Sequence, residues 1–185
     1  MKKNFFKIIF LLIPLFINSC NNITGPLIQI NLLQSPSFEE NDQPSLKGWI
    51  GDTSVINFSN DVPPEGGKWS IFIYGNNSLT LRPIRPDQII QKVKLLKGTY
   101  IYTFSFWAKA DSINGSFAIL GTIKNDTSRL DKNLEITKPT WTNYTIVDTL
   151  SYANYDSVEV FFGAGYSFQG VQGKIFFDLC SLTAK

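Results

Sequence analysis

Thr99-Tyr100-Ile101-Tyr102-Thr103-Phe104-Ser105-Phe106-Trp107-Ala108-Lys109-Ala110 is the stretch that decides the fold. In an extended chain successive side chains point to opposite faces. Tyr100, Tyr102, Phe104, Phe106 and Ala108 therefore share one side, and Ile101, Thr103, Ser105, Trp107 and Lys109 the other. Burying one such ring is worth roughly 1.5–3 kcal/mol. Four rings make theirs the core side and pin the register, since a slip by one residue would turn all of them to water. The segment is expected as a strand with Trp107 facing away from the core. The same alternation in Ser157–Gly163 sends Val158, Val160 and Phe162 inward and leaves Glu159 and Phe161 outward.

Further strands are expected at Leu27–Leu33, Trp69–Tyr74, Gln88–Leu95, Ser116–Lys124, Trp141–Thr149 and Lys174–Leu182, parted by turn clusters such as Asn76-Asn77-Ser78, Lys97-Gly98 and Asn114-Gly115. No helical period, repeat or low-complexity tract competes with them. Evenly spaced short strands predict an all-β sandwich or barrel. A chain of 185 residues, 43% hydrophobic and 17% charged, is long enough for one well-buried core and excludes disordered, collagen-like and disulfide-stapled classes. The absence of His excludes Ser-His-Asp and Cys-His nucleophile systems and every His-ligated metal.

At the N-terminus, Lys2, Lys3 and Lys7 precede the apolar run Ile8–Ile17, which has the length of a secretory signal core and is short for a permanent span. It ends Ile17-Asn18-Ser19-Cys20, which resembles a bacterial lipobox, with Asn18 where that pattern prefers a smaller or apolar residue. Residues 1–19 are read as a lipoprotein signal peptide, 20–26 as a lipidated tether and 27–185 as the folded domain. A plain signal peptide or an uncleaved anchor is the alternative. Cleavage before Cys20 removes three Lys and no acid, turning the formal net charge of +2 slightly negative. No basic stripe remains for phosphates, so nucleic acid is not an expected partner. Acyl chains on Cys20, at about 0.8 kcal/mol per buried CH₂, would make the lipid bilayer a lasting partner, placing the domain in the cell envelope with the outer membrane favoured. Cys180 is then left without a disulfide partner.

Several stretches, in order, resemble one family. Asn31-Leu32-Leu33, Ser37-Phe38-Glu39, Gly48-Trp49 and Gly66-Gly67-Lys68-Trp69-Ser70 look like the opening of the galactose-binding-domain-like carbohydrate-binding modules that recognise xylan and β-glucan. Leu96–Tyr100 with Phe104–Ala110, Trp141–Tyr144 and Phe176-Phe177-Asp178-Leu179 resemble the family's central, late and terminal strands. Leu179 stands where the terminal motif usually carries a second acid. The resemblance covers residues 27–183. It implies a β-sandwich jelly roll of two antiparallel sheets, one of them often concave, and non-catalytic binding of a polysaccharide.

A sugar presents C–H groups on one face and hydroxyls at its rim, so a groove needs flat rings flanked by donors and acceptors. Trp107 with Ser105, Thr103 and Lys109 meets this by alternation, and Glu159 and Phe161 join if their strand lies in the same sheet. The competing reading covers Trp107 with a loop. Trp69 and Tyr166 are loop-borne rings that wall a groove or pack over the sandwich end, whereas Trp49 and Trp141 are expected at core or corner positions. Asp178 lies among apolar neighbours on either alternation, where an unpaired charge is costly. By resemblance, Glu39 and Asp178 supply the carboxylates of a structural calcium, with carbonyls from the loop around Lys68. A hydrogen bond or ion pair to Asp178 is the alternative. Cys180 reads as a small buried hydrophobe. An envelope-protein partner is the second functional reading and a jelly-roll glycosidase the third. A glycosidase would need two carboxylates about 5–10 Å apart across a cleft.

Overall fold

Tyr102, Phe104 and Phe106 are fully buried, and the strand that carries them is the second of five in its sheet. The structure is a computed structural model and describes residues 29–75, 88–111, 116–125, 127–164 and 173–185. Among these, in chain order, lie β1 (Glu39–Glu40), β2 (Gln43–Pro44), β3 (Ile50–Gly51), β4 (Ile56–Ser59), β5 (Ser70–Gly75), β6 (Gln88–Lys94), β7 (Thr99–Asp111), β8 (Ser116–Lys124), β9 (Thr127–Ile136), β10 (Thr142–Ser151), β11 (Ser157–Gly163) and β12 (Gly173–Ala184). One sheet has the order β10-β7-β12-β5-β4 and the other β3-β6-β11-β8-β9, each antiparallel, and β1-β2 form a small hairpin. The chain is all-β, a jelly-roll sandwich.

The two inner faces meet through the rings. Phe162 of β11 stacks on Phe177 of β12 at 4.1 Å between centroids and meets Phe106 edge-on at 5.0 Å. Trp49 closes this core, stacked on Phe162 at 5.8 Å, with its indole N–H donating to the Ser35 carbonyl at 3.2 Å. The inward and outward sides of β7 and β11 are those that alternation dictates.

Other elements depart from the sequence reading. β9 was not expected. Its segment, Thr-Ser-Arg-Leu-Asp-Lys-Asn-Leu-Glu-Ile, is polar because it forms the edge of its sheet, where a charged strand resists pairing with other chains. The described part of Leu27–Leu33, residues 29–33, is not a strand. It runs beside the end of β12, where Leu32 N–H donates to the Leu182 carbonyl and the Asn31 amide bridges Leu182 and Cys180. β12 itself changes register between Asp178 and Ser181, with Leu179 at a left-handed φ of 48°. Such a bulge re-aims the side chains beyond it. Cys180 is buried in the core as expected, yet it no longer shares a face with Phe176, which lies on the outer side opposite Lys109.

Candidate functional site

Trp107 leaves the core as predicted and is half-buried on the outer face of the first sheet, in register with Asn143 of β10 and Asp178 of β12. Ser105, Thr103 and Lys109 share that face. The Lys109 ammonium is already engaged. It pairs with Asp61, whose other carboxylate oxygen accepts the Trp141 indole N–H at 2.9 Å, and it lies 4.6 Å from the centre of the Phe176 ring. Burial works to raise the Asp61 carboxyl, but the hydrogen bonds from Lys109 and Trp141 and the charge of Lys109 outweigh it and hold it below the usual range. Lys174 caps Phe72 in the same way at 4.7 Å. Phe176 and Phe72 on this face are thus covered by the protein's own cations.

Glu159 and Phe161 do not join Trp107. β11 belongs to the other sheet, so the two groups look out from opposite sides of the sandwich and no single groove holds both. The condition that placed them together fails because the sheet to which a strand belongs is set by long-range pairing. On their own face they have company that alternation in β7 and β11 did not reveal. Register aligns Ile50, Ile90, Phe161 and Ile119 in one row across four strands, ending at Asn133 on β9. On one side of this apolar row lie Lys92, Glu159 and Gly121, and on the other Gln88, Gly163, Phe117 and Glu135. Phe117 stacks on Phe161 at 5.6 Å and 20°. Its ring lies across Gly163, where an added Cβ would come within 2.4 Å of it.

Ile50, at 65% exposure, is the open end of the row, whereas Phe161 at 8%, Ile119 at 5% and Glu159 at 5% are buried. The missed signal was in β8: Phe117-Ala118-Ile119-Leu120-Gly121-Thr122-Ile123 is apolar at nearly every position, so both faces are covered, and the outer one carries Phe117, Ile119 and Ile123.

Asp178 is fully buried on the outer side of β12. One oxygen accepts the Leu179 N–H at 2.7 Å, and Oδ2 is without a hydrogen-bond partner. Glu39 approaches it from β1, with Oε2 accepting the N–H groups of Lys68 at 2.8 Å and Trp69 at 3.1 Å. The pair Gly66-Gly67 lies under both carboxylates. A Cβ on Gly66 would fall 2.8 Å from Asp178 Oδ2, and one on Gly67 would strike Glu39 Oε1. Desolvation, partly offset by the Leu179 N–H and reinforced by the negative charge of Glu39, pushes the Asp178 carboxyl up to about 7. Two converging carboxylates, an orphaned buried oxygen and a side-chain-free cradle fit a hard cation such as calcium. Among the described residues no three His, Cys, Asp or Glu side chains converge to hold a metal ion, so backbone carbonyls and water would complete its shell.

Trp69 belongs to this cluster, its indole N–H donating to the Asp42 carbonyl at 3.1 Å. Tyr166 and Cys20 lie outside the described residues.

No protein-family model matches the sequence, and no curated protein matches it significantly. Solved structures do match. The family 16 carbohydrate-binding module-2 superposes with a TM-score of 0.59 at 21% identity, covering 83% of this chain and 99% of that one. The chain has the fold of carbohydrate-binding modules. A CBM61 module solved with β-1,4-galactotriose gives a TM-score of 0.54 at 18% identity, over 84% of this chain and 99% of that one. The enzymatically active domain of tailspike protein 4 of bacteriophage CBA120 gives 0.61 at 18% identity over 84% of this chain, which spans only 22% of that larger protein. At these identities the likeness is one of fold, and it agrees with the jelly roll that the sequence resemblance implied.

Proposed function

We propose that the chain is a membrane-anchored lipoprotein, held through Cys20, whose sandwich binds a glycan without catalysis on the outer face of the β3-β6-β11-β8-β9 sheet. One observation carries the reading. An apolar row opens at Ile50 and Ile90, runs onto the buried Phe161–Phe117 stack, and is bordered by groups able to bond hydroxyls, namely Lys92 on one side and Gln88 and Glu135 on the other. Sugar C–H faces would lie on the row and hydroxyls on its borders. The fold supports the same reading, because solved neighbours include modules named for xylan binding and one bound to galactotriose. Calcium bound by Glu39 and Asp178 would be structural.

Catalysis is disfavoured by spacing. Glu159 and Glu135 lie on strands either side of β8 and four residues apart along it, which puts their Cα atoms about 16 Å apart at the usual strand spacing and rise. A glycosidic pair stands at about 5–10 Å. The closer pair, Glu39 and Asp178, has Asp178 sealed from any substrate.

Affinity electrophoresis of the Cys20→Ser chain through xylan, β-glucan and galactan gels tests the proposal. Retardation by one of them should disappear in Phe161→Ala and weaken in Lys92→Ala, with Trp107→Ala unaffected. Loss in Trp107→Ala alone would move the site to the opposite face. Absence of retardation in every gel would favour the envelope-protein reading.

A further inference from the structure

We propose that the end of the sandwich formed by the β6–β7, β8–β9 and β10–β11 turns rests on the lipid bilayer, as a second contact beside the anchor at Cys20, and the inference relies on that anchoring. These turns are one surface. Tyr152 N–H donates to the Gly98 carbonyl, Leu95 N–H to Asp156 and Asp156 N–H to Ile123, while Lys185 exchanges two backbone hydrogen bonds with Ile101 at the same end. The domain is also entered there, since Gln29 bonds Thr183 near the end of β12.

Most of the large apolar side chains exposed among the described residues gather at this end: Ile30, Leu96, Ile101 and Tyr152. Around them stand the exposed Lys94, Lys97, Lys124 and Lys185. Among the described residues of these turns the acid is Asp156, 3.9 Å from Lys124. Apolar tips ringed by lysines, with a tyrosine at the boundary, match the polarity gradient of a membrane surface and the charge of anionic headgroups.

The tether agrees. Nine residues from Cys20 to Gln29 reach at most about 30 Å, so the acylated cysteine keeps this end within reach of the bilayer. The glycan-binding face would then stand upright from the membrane and remain open to the side.

The test uses the full lipidated protein in vesicles of phosphatidylethanolamine and phosphatidylglycerol, spin-labelled at Leu96→Cys or Tyr152→Cys, with Thr140→Cys at the opposite end as reference. Cys180 is buried and does not compete for the label. A water-soluble nickel relaxer should reach the first two labels several-fold less than the third, and Lys94→Glu with Lys97→Glu should abolish the difference. Equal accessibility at all three sites overturns the proposal while leaving the anchor intact. Mass spectrometry of the N-terminal peptide separates the two readings: an unmodified Cys20 refutes the anchor and this inference together.

Discussion

Asp178 carries an unusual proton. Its folded carboxyl titrates near 7, against an ordinary value of 3.8, so the folded state binds the proton more tightly than the unfolded chain. The stability this group contributes is therefore fully present below about pH 4 and is lost as pH rises through about 7. In chelator, the melting temperature should rise as the pH falls from 8 to 5. Calcium should reverse this by stabilising the fold most at pH 8, where the Asp178 carboxyl is ionised. Asp178→Asn should raise the melting temperature in chelator at pH 8 and remove the response to calcium. A melt indifferent to calcium at every pH would count against Glu39 and Asp178 as ligands. Beside them, Gly67→Ala places a methyl against Glu39 Oε1 and should cost about 1–3 kcal/mol in denaturant unfolding. The isolated acid of Phe177-Asp178-Leu179 could be read from the sequence, but its orphaned oxygen and the glycine cradle could not, because Gly66 and Gly67 meet it across more than a hundred residues of chain.

At the level of the strand, legibility depended on contrast between the two faces. β7 alternates rings with polar residues, and its alternation survives intact in the structure. Phe106, packed on Phe162, Phe104 and Tyr144, should cost about 3–5 kcal/mol when replaced by Ala. β8 is apolar on both faces, so alternation was silent about it, and in β9, among the described side chains, only Leu134 and Ile136 at one end reach the core, so its charged remainder hid the strand. Leu179 broke the alternation of β12 through a backbone angle that no side-chain pattern announces. β11 allows a separate check of the binding face. Gly163→Ala would drive the Phe117 ring from its stack on Phe161. It should weaken glycan retardation several-fold, and unchanged binding with a normal fold would remove the stack from the site.

Across the whole molecule, the two outer faces are separated by the thickness of the core. One bears Trp107 beside rings capped by Lys109 and Lys174, and the other bears Phe161 and Glu159. Substitutions on the two faces should act independently. In Trp107→Ala, Phe161→Ala and the double variant, unfolding free energies should add to within about 0.5 kcal/mol. A larger coupling would indicate that the faces communicate through the core.

Local alternation determined the all-β class, the inward side of β7 and β11 and the outward direction of Trp107, Glu159 and Phe161, because each follows from the two-residue period of an extended chain and the cost of wetting aromatic rings. Only the tertiary structure decided which outward residues share a face. Sheet membership comes from pairing between distant strands, and it set β7 and β11 back to back, aligned Ile50 with Phe161, and brought Glu39 to Asp178 over Gly66 and Gly67.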